Sequence, residues 1–147
     1  MIVADATPII AASERRAPNR ALAQAWLQGA RERIVVSAPV TAEVDYMLAT
    51  RGSLGSARNF ISDVAAGRFQ VECLANEEYA LILSLMDQYQ ALEPGLADLS
   101  VVILAYRFNT TRILTFDQKH FRAMKPLQGG SFTLLPFDEP APDPRQA

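Results

Sequence analysis

The sequence predicts an α/β fold, a three-layer α/β/α sandwich around a mainly parallel sheet of about five strands. Three observations predict it. Short apolar or β-branched runs recur at Ile2–Ala4, Arg33–Ser37, Phe69–Leu74, Arg112–Thr115 and Ser131–Leu135, with helical spacing between most of them. Strands separated by helices need crossover connections, which are right-handed, so the strands run parallel with helices on both faces. Finally, 147 residues, 50% hydrophobic and 20% charged, are enough for one domain with its own core.

The first strand is a brief buried pattern that ends abruptly at Asp5-Ala6-Thr7-Pro8, where a helix or turn begins. A helix from about Asn19 to Ala30 follows, with Leu22, Ala23, Trp26 and Leu27 at helical spacing, which places Trp26 in the core or an interface. Arg15, Arg16 and Arg20 between them read as a solvated face, with contact to phosphates or to a partner protein as the alternative. After Arg33–Ser37, Pro39 at a first helical position opens a helix to about Thr50 with Val40, Val44, Met47 and Leu48 inward. Glu43 falls near its first turn, and Asp45 points elsewhere by helical phase.

Gly52 is a natural helix stop, and Ser53 caps a helix to about Ala66 that Gly67 ends. The third strand, Phe69–Leu74, holds Cys73, the single cysteine, which reads as a buried inert thiol. Asn76 is expected to cap a helix to about Tyr89, with Glu77 and Glu78 suited to its dipole. Gly95 then opens a helix with Asp98 in its first turn and an apolar face through Val101, Val102, Leu104 and Ala105. The strand Arg112–Thr115 delivers Asp117 just past its end, a helix or turn lies around Phe121–Met124, and Ser131–Leu135 is the last strand. The domain is expected to span 1–136, and the proline-rich stretch 137–147 to be a disordered tail.

Bulk properties narrow the function. A net charge of -2 and a pI near 5.4 exclude a surface coated in positive charge, though not a local basic rim. The longest uncharged apolar run, Leu99–Tyr106, is too short to span a bilayer, and the N-terminus lacks a basic signal-like region, so the expected location is cytoplasmic.

Asp5, Glu43, Asp98 and Asp117 come from separate segments, yet each is predicted near one edge of the sheet, the edge where open α/β sheets bind ligands. Any one of them alone reads as a cap or surface acid. Four together would repel one another unless a cation neutralised them. Hard oxygen donors favour Mg²⁺ or Mn²⁺, and one histidine with one cysteine makes zinc a poor fit. Two other acid-based folds fit less well. A phosphotransfer receiver needs an Asp after the third strand, where Leu74-Ala75 stands, and a haloacid-dehalogenase-type phosphatase needs a second acid where Thr7 stands.

The frames IVADATPIIA, APVTAEVDYML, GLADLSVVILA and ILTFDQKHF resemble the PIN-domain family, and within it the VapC-type toxins of bacterial toxin–antitoxin pairs, over nearly the whole chain to Pro136. The resemblance implies a metal-dependent endoribonuclease using Mg²⁺ or Mn²⁺. It implies Asp5 and Asp98 as principal metal ligands, Asp117 as a direct or water-mediated ligand, and Glu43 as a water-mediated ligand or water-orienting base. Thr115 matches a hydroxyl residue of the last motif. Some members carry a further acid where this chain has Lys119-His120, which leaves one or two metals open. His120 reads as structural or as a phosphate contact, and Lys119, Arg122, Lys125, Arg107 and Arg112 as a phosphate-binding rim. Expected partners are RNA, a cognate VapB-type antitoxin and a second copy of the chain. The alternatives are a catalytically silent protein-binding module and a PIN nuclease outside any toxin–antitoxin pair.

Overall fold

All five expected strands form, and every pairing is parallel. The computed structural model describes residues 1–143 and 145. The chain runs β1 (Ile2–Ala4), α1 (Ala6–Ser13), α2 (Arg20–Gly29), β2 (Ile34–Ser37), α3 (Ala38–Arg51), α4 (Leu54–Ala65) and β3 (Gln70–Glu72). It continues through α5 (Asn76–Gln88), a 3-10 turn (Gln90–Leu92), α6 (Leu96–Arg107), β4 (Arg112–Leu114), α7 (Gln118–Ala123) and β5 (Thr133–Leu135). The strand order is β3-β2-β1-β4-β5.

That order creates the site. From β1 the chain winds outward through β2 to β3, then returns across the sheet to β4 and β5, so the winding reverses between β1 and β4. Ligands of open parallel sheets bind at the strand carboxyl ends beside such a reversal. Ala4 is in register with Leu114, and the Asp5 amide donates to the Leu114 carbonyl at 2.9 Å. Residues just past β1 and β4 therefore emerge side by side.

α6 fixes the height of the third acid. Its residues Leu99–Ala105 are all buried, because the helix packs on β1, β2 and β4 while α3 and α5 cover its flanks. An apolar face was expected, but a helix enclosed all round is apolar all round. One polar side chain within that run, Ser100, is fully buried and meets Ser37, also fully buried, at 2.6 Å between hydroxyl oxygens. The bonds have a direction. Ser100 donates to the Ala97 carbonyl at 2.6 Å, so Ser37 donates to Ser100 while accepting from the Val40 amide at 3.1 Å as the cap of α3.

This chain of bonds joins the starts of α3 and α6, the helices that carry Glu43 in the second turn and Asp98 in the first. Ser100→Ala would leave the Ser37 hydroxyl without an acceptor in a dry place, at a cost of about 1–3 kcal/mol. Urea unfolding should show that loss. The Ser37→Ala/Ser100→Ala double variant should cost less than the two single losses added, because one shared bond is removed twice.

Three expectations need correction. β3 is shorter than Phe69–Leu74 and lies at the sheet edge, so Cys73 is exposed and not buried. The cap of α5 is Ala75 in place of Asn76; Glu78 reaches back to accept from the Ala75 amide at 2.9 Å. α7 starts earlier than expected, directly after Asp117, which caps it.

The proline-rich end also departs from a disordered tail. Asp138 donates its amide to the Leu134 carbonyl at 2.8 Å, accepts from the Leu134 amide at 2.7 Å, and takes both ends of the Arg122 guanidinium at 2.8 and 2.6 Å. Those bonds, Arg122's first, hold its carboxyl down at about 2. Glu139 pairs with Arg112 at 2.6 Å, Ala141 packs on the core, and Pro142 lies against Gly29, where a Cβ would come within 3.3 Å. The segment buries little, but ion pairs anchor it and proline lowers the entropy lost on ordering. The same expectation for residues 144, 146 and 147 lies outside the described residues.

Candidate active site

Asp5 is the N-cap residue of α1 and only 2% exposed, although its side chain caps nothing. Its oxygens are served from elsewhere. Thr115, itself fully buried at the end of β4, donates to Asp5 Oδ2 at 2.8 Å, and Thr7 donates to the same oxygen at 3.1 Å. Each hydroxyl accepts in turn from the backbone after β4: Thr115 from the Asp117 amide and Thr7 from the Phe116 amide, both at 2.9 Å. Two threonines thus lock the turn leading to Asp117 onto Asp5. Thr115 was expected only as a motif match. Thr7 was missed, and the signal was there in Asp-x-Thr directly after a strand.

Asp98 sits in the first turn of α6, where its Oδ2 accepts from the Gly95 amide at 3.0 Å, as an N-terminal acid should. Asp117 Oδ1 accepts from the His120 amide at 3.0 Å, and its Oδ2 faces His120 Nδ1 at 2.6 Å. The other ring nitrogen, Nε2, lies 3.1 Å from the Leu92 carbonyl, which can only accept. Both nitrogens of His120 therefore face oxygens, and the ring ties α7 to the segment before α6. This is the structural role, not a free phosphate contact. Glu43 projects from α3 without a hydrogen bond to any described residue, and Asp45 on the same helix faces away into solvent.

Asp5, Glu43, Asp98 and Asp117 line one open pocket of 390 Å³ together with Thr7, Glu14, Met47 and Arg51. Their electrostatics agree with that convergence. Burial first, and then the charge of Asp98, raises the Asp5 carboxyl to about 6 against the hydrogen bonds from Thr115, the Ala6 backbone and Thr7. Glu43 is raised by partial burial and by the charges of Asp5 and Asp98. Asp98 is raised by burial and by Asp117, against the Gly95 bond and the nearby His120 charge. The acids therefore sense one another.

Among the described residues, no group of three or more His, Cys, Asp or Glu side chains is close enough to make a ready-formed metal cage. Mg²⁺ needs none. It typically keeps several waters and takes one or two carboxylates. The donor set is all oxygen and strongly negative, with Asp98 Oδ1 and the Glu43 carboxyl free of hydrogen bonds to described residues, and it suits a hard, partly hydrated divalent ion.

The expected phosphate rim is largely absent from the site. Arg107 is held by Glu72 and Glu78, Arg112 by Glu32 and Glu139, and Arg122 by Asp138. Arg112 also begins β4, at the end of the sheet opposite the acids. Nearness in sequence misled here, since a three-residue strand carries its two ends to opposite edges of the sheet. Lys119 and Lys125 remain exposed and without an ion pair among the described residues.

Residues 2–126 match the PIN domain family. The chain belongs to that family. It is 30% identical over 135 residues to Ribonuclease VapC26 of Mycobacterium tuberculosis, covering 92% of this chain and 100% of that protein. Its fold is similar to the crystal structure of Mycobacterium tuberculosis VapC20, a Sarcin-Ricin loop cleaving toxin, with a TM-score of 0.75 over 80% of this chain and 91% of that one. Sequence identity there is 13%, so the likeness is one of fold. In this PIN domain the four acids foreseen from sequence all reach the same pocket.

Proposed function

We propose that this PIN domain is an endoribonuclease dependent on Mg²⁺ or Mn²⁺ and that it acts as the toxin of a VapBC-type toxin–antitoxin pair. One observation carries the reading: four carboxylates from four elements line a single pocket at the strand ends, three of them with raised affinities for protons. Such a cluster costs stability and is held in place by the Thr7–Thr115 lock and the Ser37–Ser100 bond. End-to-end similarity to a ribonuclease supplies the reaction class.

In this reading Asp5 and Asp98 hold the cation, Asp117 supports it directly or through water, and Glu43 orients the attacking water. When bound, the ion offsets the phosphodiester charge and acidifies water. The threonines hold the Asp5 carboxyl in place, and His120 keeps Asp117 from swinging away. The acid set is complete, which favours an enzyme over a silent binding module.

The proposed partners are RNA, a VapB-type antitoxin that places a basic side chain among the carboxylates, and a second copy of the chain. Among the described residues no helix is long and apolar enough to cross a membrane, and the proposed location is cytoplasmic. Purified protein freed of any antitoxin should cleave RNA when Mg²⁺ or Mn²⁺ is present and stop when EDTA is added. Full cleavage in chelator would remove the metal-dependent mechanism. An adjacent reading frame unrelated to small DNA-binding antitoxins would leave the nuclease standing without the toxin role.

A further inference from the structure

An acidic pocket repels the polyanion it is proposed to cut. The strand therefore needs cationic ground nearby, and most of the arginines expected there are already paired with acids. Beside the acidic pocket lies a second cleft of 610 Å³, where the C-terminal ends of α1 and α3 meet the start of α4. Arg15, Arg16 and Arg51 wall it, with Ser53 and Ser56 on the far side. All three arginines are exposed and have no hydrogen bond or ion pair to any described residue. The neighbouring Arg20, by contrast, donates to the Ala12 carbonyl at 3.4 Å.

The two cavities adjoin. Arg51 and Glu14 line both, so a chain leaving the acids passes Arg51 and enters the arginine-walled cleft. The start of α4 adds the partial positive charge of a helix N-terminus, its Ser56 amide already capped by Ser53 at 3.1 Å. Three unpaired guanidiniums beside the proposed active site make this cleft locally cationic. Arginine's fork matches phosphate oxygens in pairs.

We propose that this cleft binds a phosphate of the single-stranded RNA neighbouring the scissile one, held by Arg15, Arg16 and Arg51. The inference rests on the ribonuclease reading of the acidic pocket, and it also names where the strand leaves the active site. It makes the arginines after Ser13, in place of Arg107, Arg112 and Arg122, the group that sets RNA affinity.

The test is fluorescence anisotropy of a labelled single-stranded RNA oligonucleotide with EDTA present, so that no turnover intervenes, for wild type and for Arg15→Gln/Arg16→Gln/Arg51→Gln over a range of salt. The triple variant should bind at least about tenfold more weakly, with the slope of log affinity against log salt shallower by about 0.7 for each phosphate no longer neutralised. Arg33→Gln, at the opposite end of the sheet, should bind as wild type does. Arg51→Lys should recover part of the loss that Arg51→Gln alone produces, which a folding defect would not do. Equal affinity and slope for wild type and the triple variant overturn the proposal, and so does a loss of the same size in Arg33→Gln. Because the readout is binding without metal, this failure is distinct from failure of the nuclease reading, which appears as intact RNA in the presence of Mg²⁺ and Mn²⁺.

Discussion

Asp5→Asn and Asp98→Asn should each lower RNA cleavage by at least about 100-fold, since in the proposed mechanism each removes a charge from the cation's donors and from the stabilisation of the reacting phosphate. Neither change should disturb its surroundings. An asparagine at position 5 keeps one carbonyl oxygen, enough to accept from both Thr115 and Thr7. An asparagine at position 98 keeps an acceptor for the Gly95 amide. Loss of activity with unchanged folding would therefore be a loss of charge at the site. Asp45→Asn is the control, on the same helix as Glu43 but turned into solvent. Initial rates with saturating Mg²⁺ decide the matter, and an equal loss at Asp45 would place the centre elsewhere.

In chelator, the same Asp5→Asn substitution should raise stability at neutral pH. The folded Asp5 carboxyl titrates near 6, above its ordinary 3.8, so between those values the native state binds more protons than the unfolded chain. Stability from this group then falls as pH rises through that window and stays low above it. A shift of this size corresponds to about 3 kcal/mol. Wild type and Asp5→Asn should melt alike near pH 4, and the variant should melt higher by an amount of that order at pH 7. Asp138 and Glu78, which shift oppositely, are common to both proteins and cancel in the difference, whereas Glu43 and Asp98 face the Asp5 charge, so its removal relieves them too and adds to the variant's gain. Added Mg²⁺ should then stabilise wild type more than the variant by mass action. A variant less stable than wild type at pH 7 in chelator would mean that Asp5 is an ordinary satisfied acid.

Asp98 serves less well for this measurement. Its Oδ2 caps α6 through Gly95, so neutralising it combines relief of repulsion with a weakened cap worth about 0.5–1 kcal/mol, and the two have opposite signs. Asp5 has no capping bond to lose. That difference in role could not be read from the sequence, where both residues appear as acids at the start of a helix.

The sequence by itself determined the order of elements and the parallel sheet, because these depend on local signals. Apolar runs, helical spacing and stop residues are all written within a few positions of one another. It also carried the family, through the frames around Asp5, Asp98 and Asp117. Tertiary structure alone decided what depends on partners distant in the chain. Thr7 and Thr115 meet on Asp5 across more than a hundred residues because β1 and β4 are neighbours in the sheet. Cys73 is exposed because β3 is an edge strand, and the last proline-rich segment is anchored because Arg122 and Arg112 happen to face it. Which arginines remain free was likewise a matter of three-dimensional pairing: a charge on a surface is available only when no opposite charge reaches it, and reach is set by the fold.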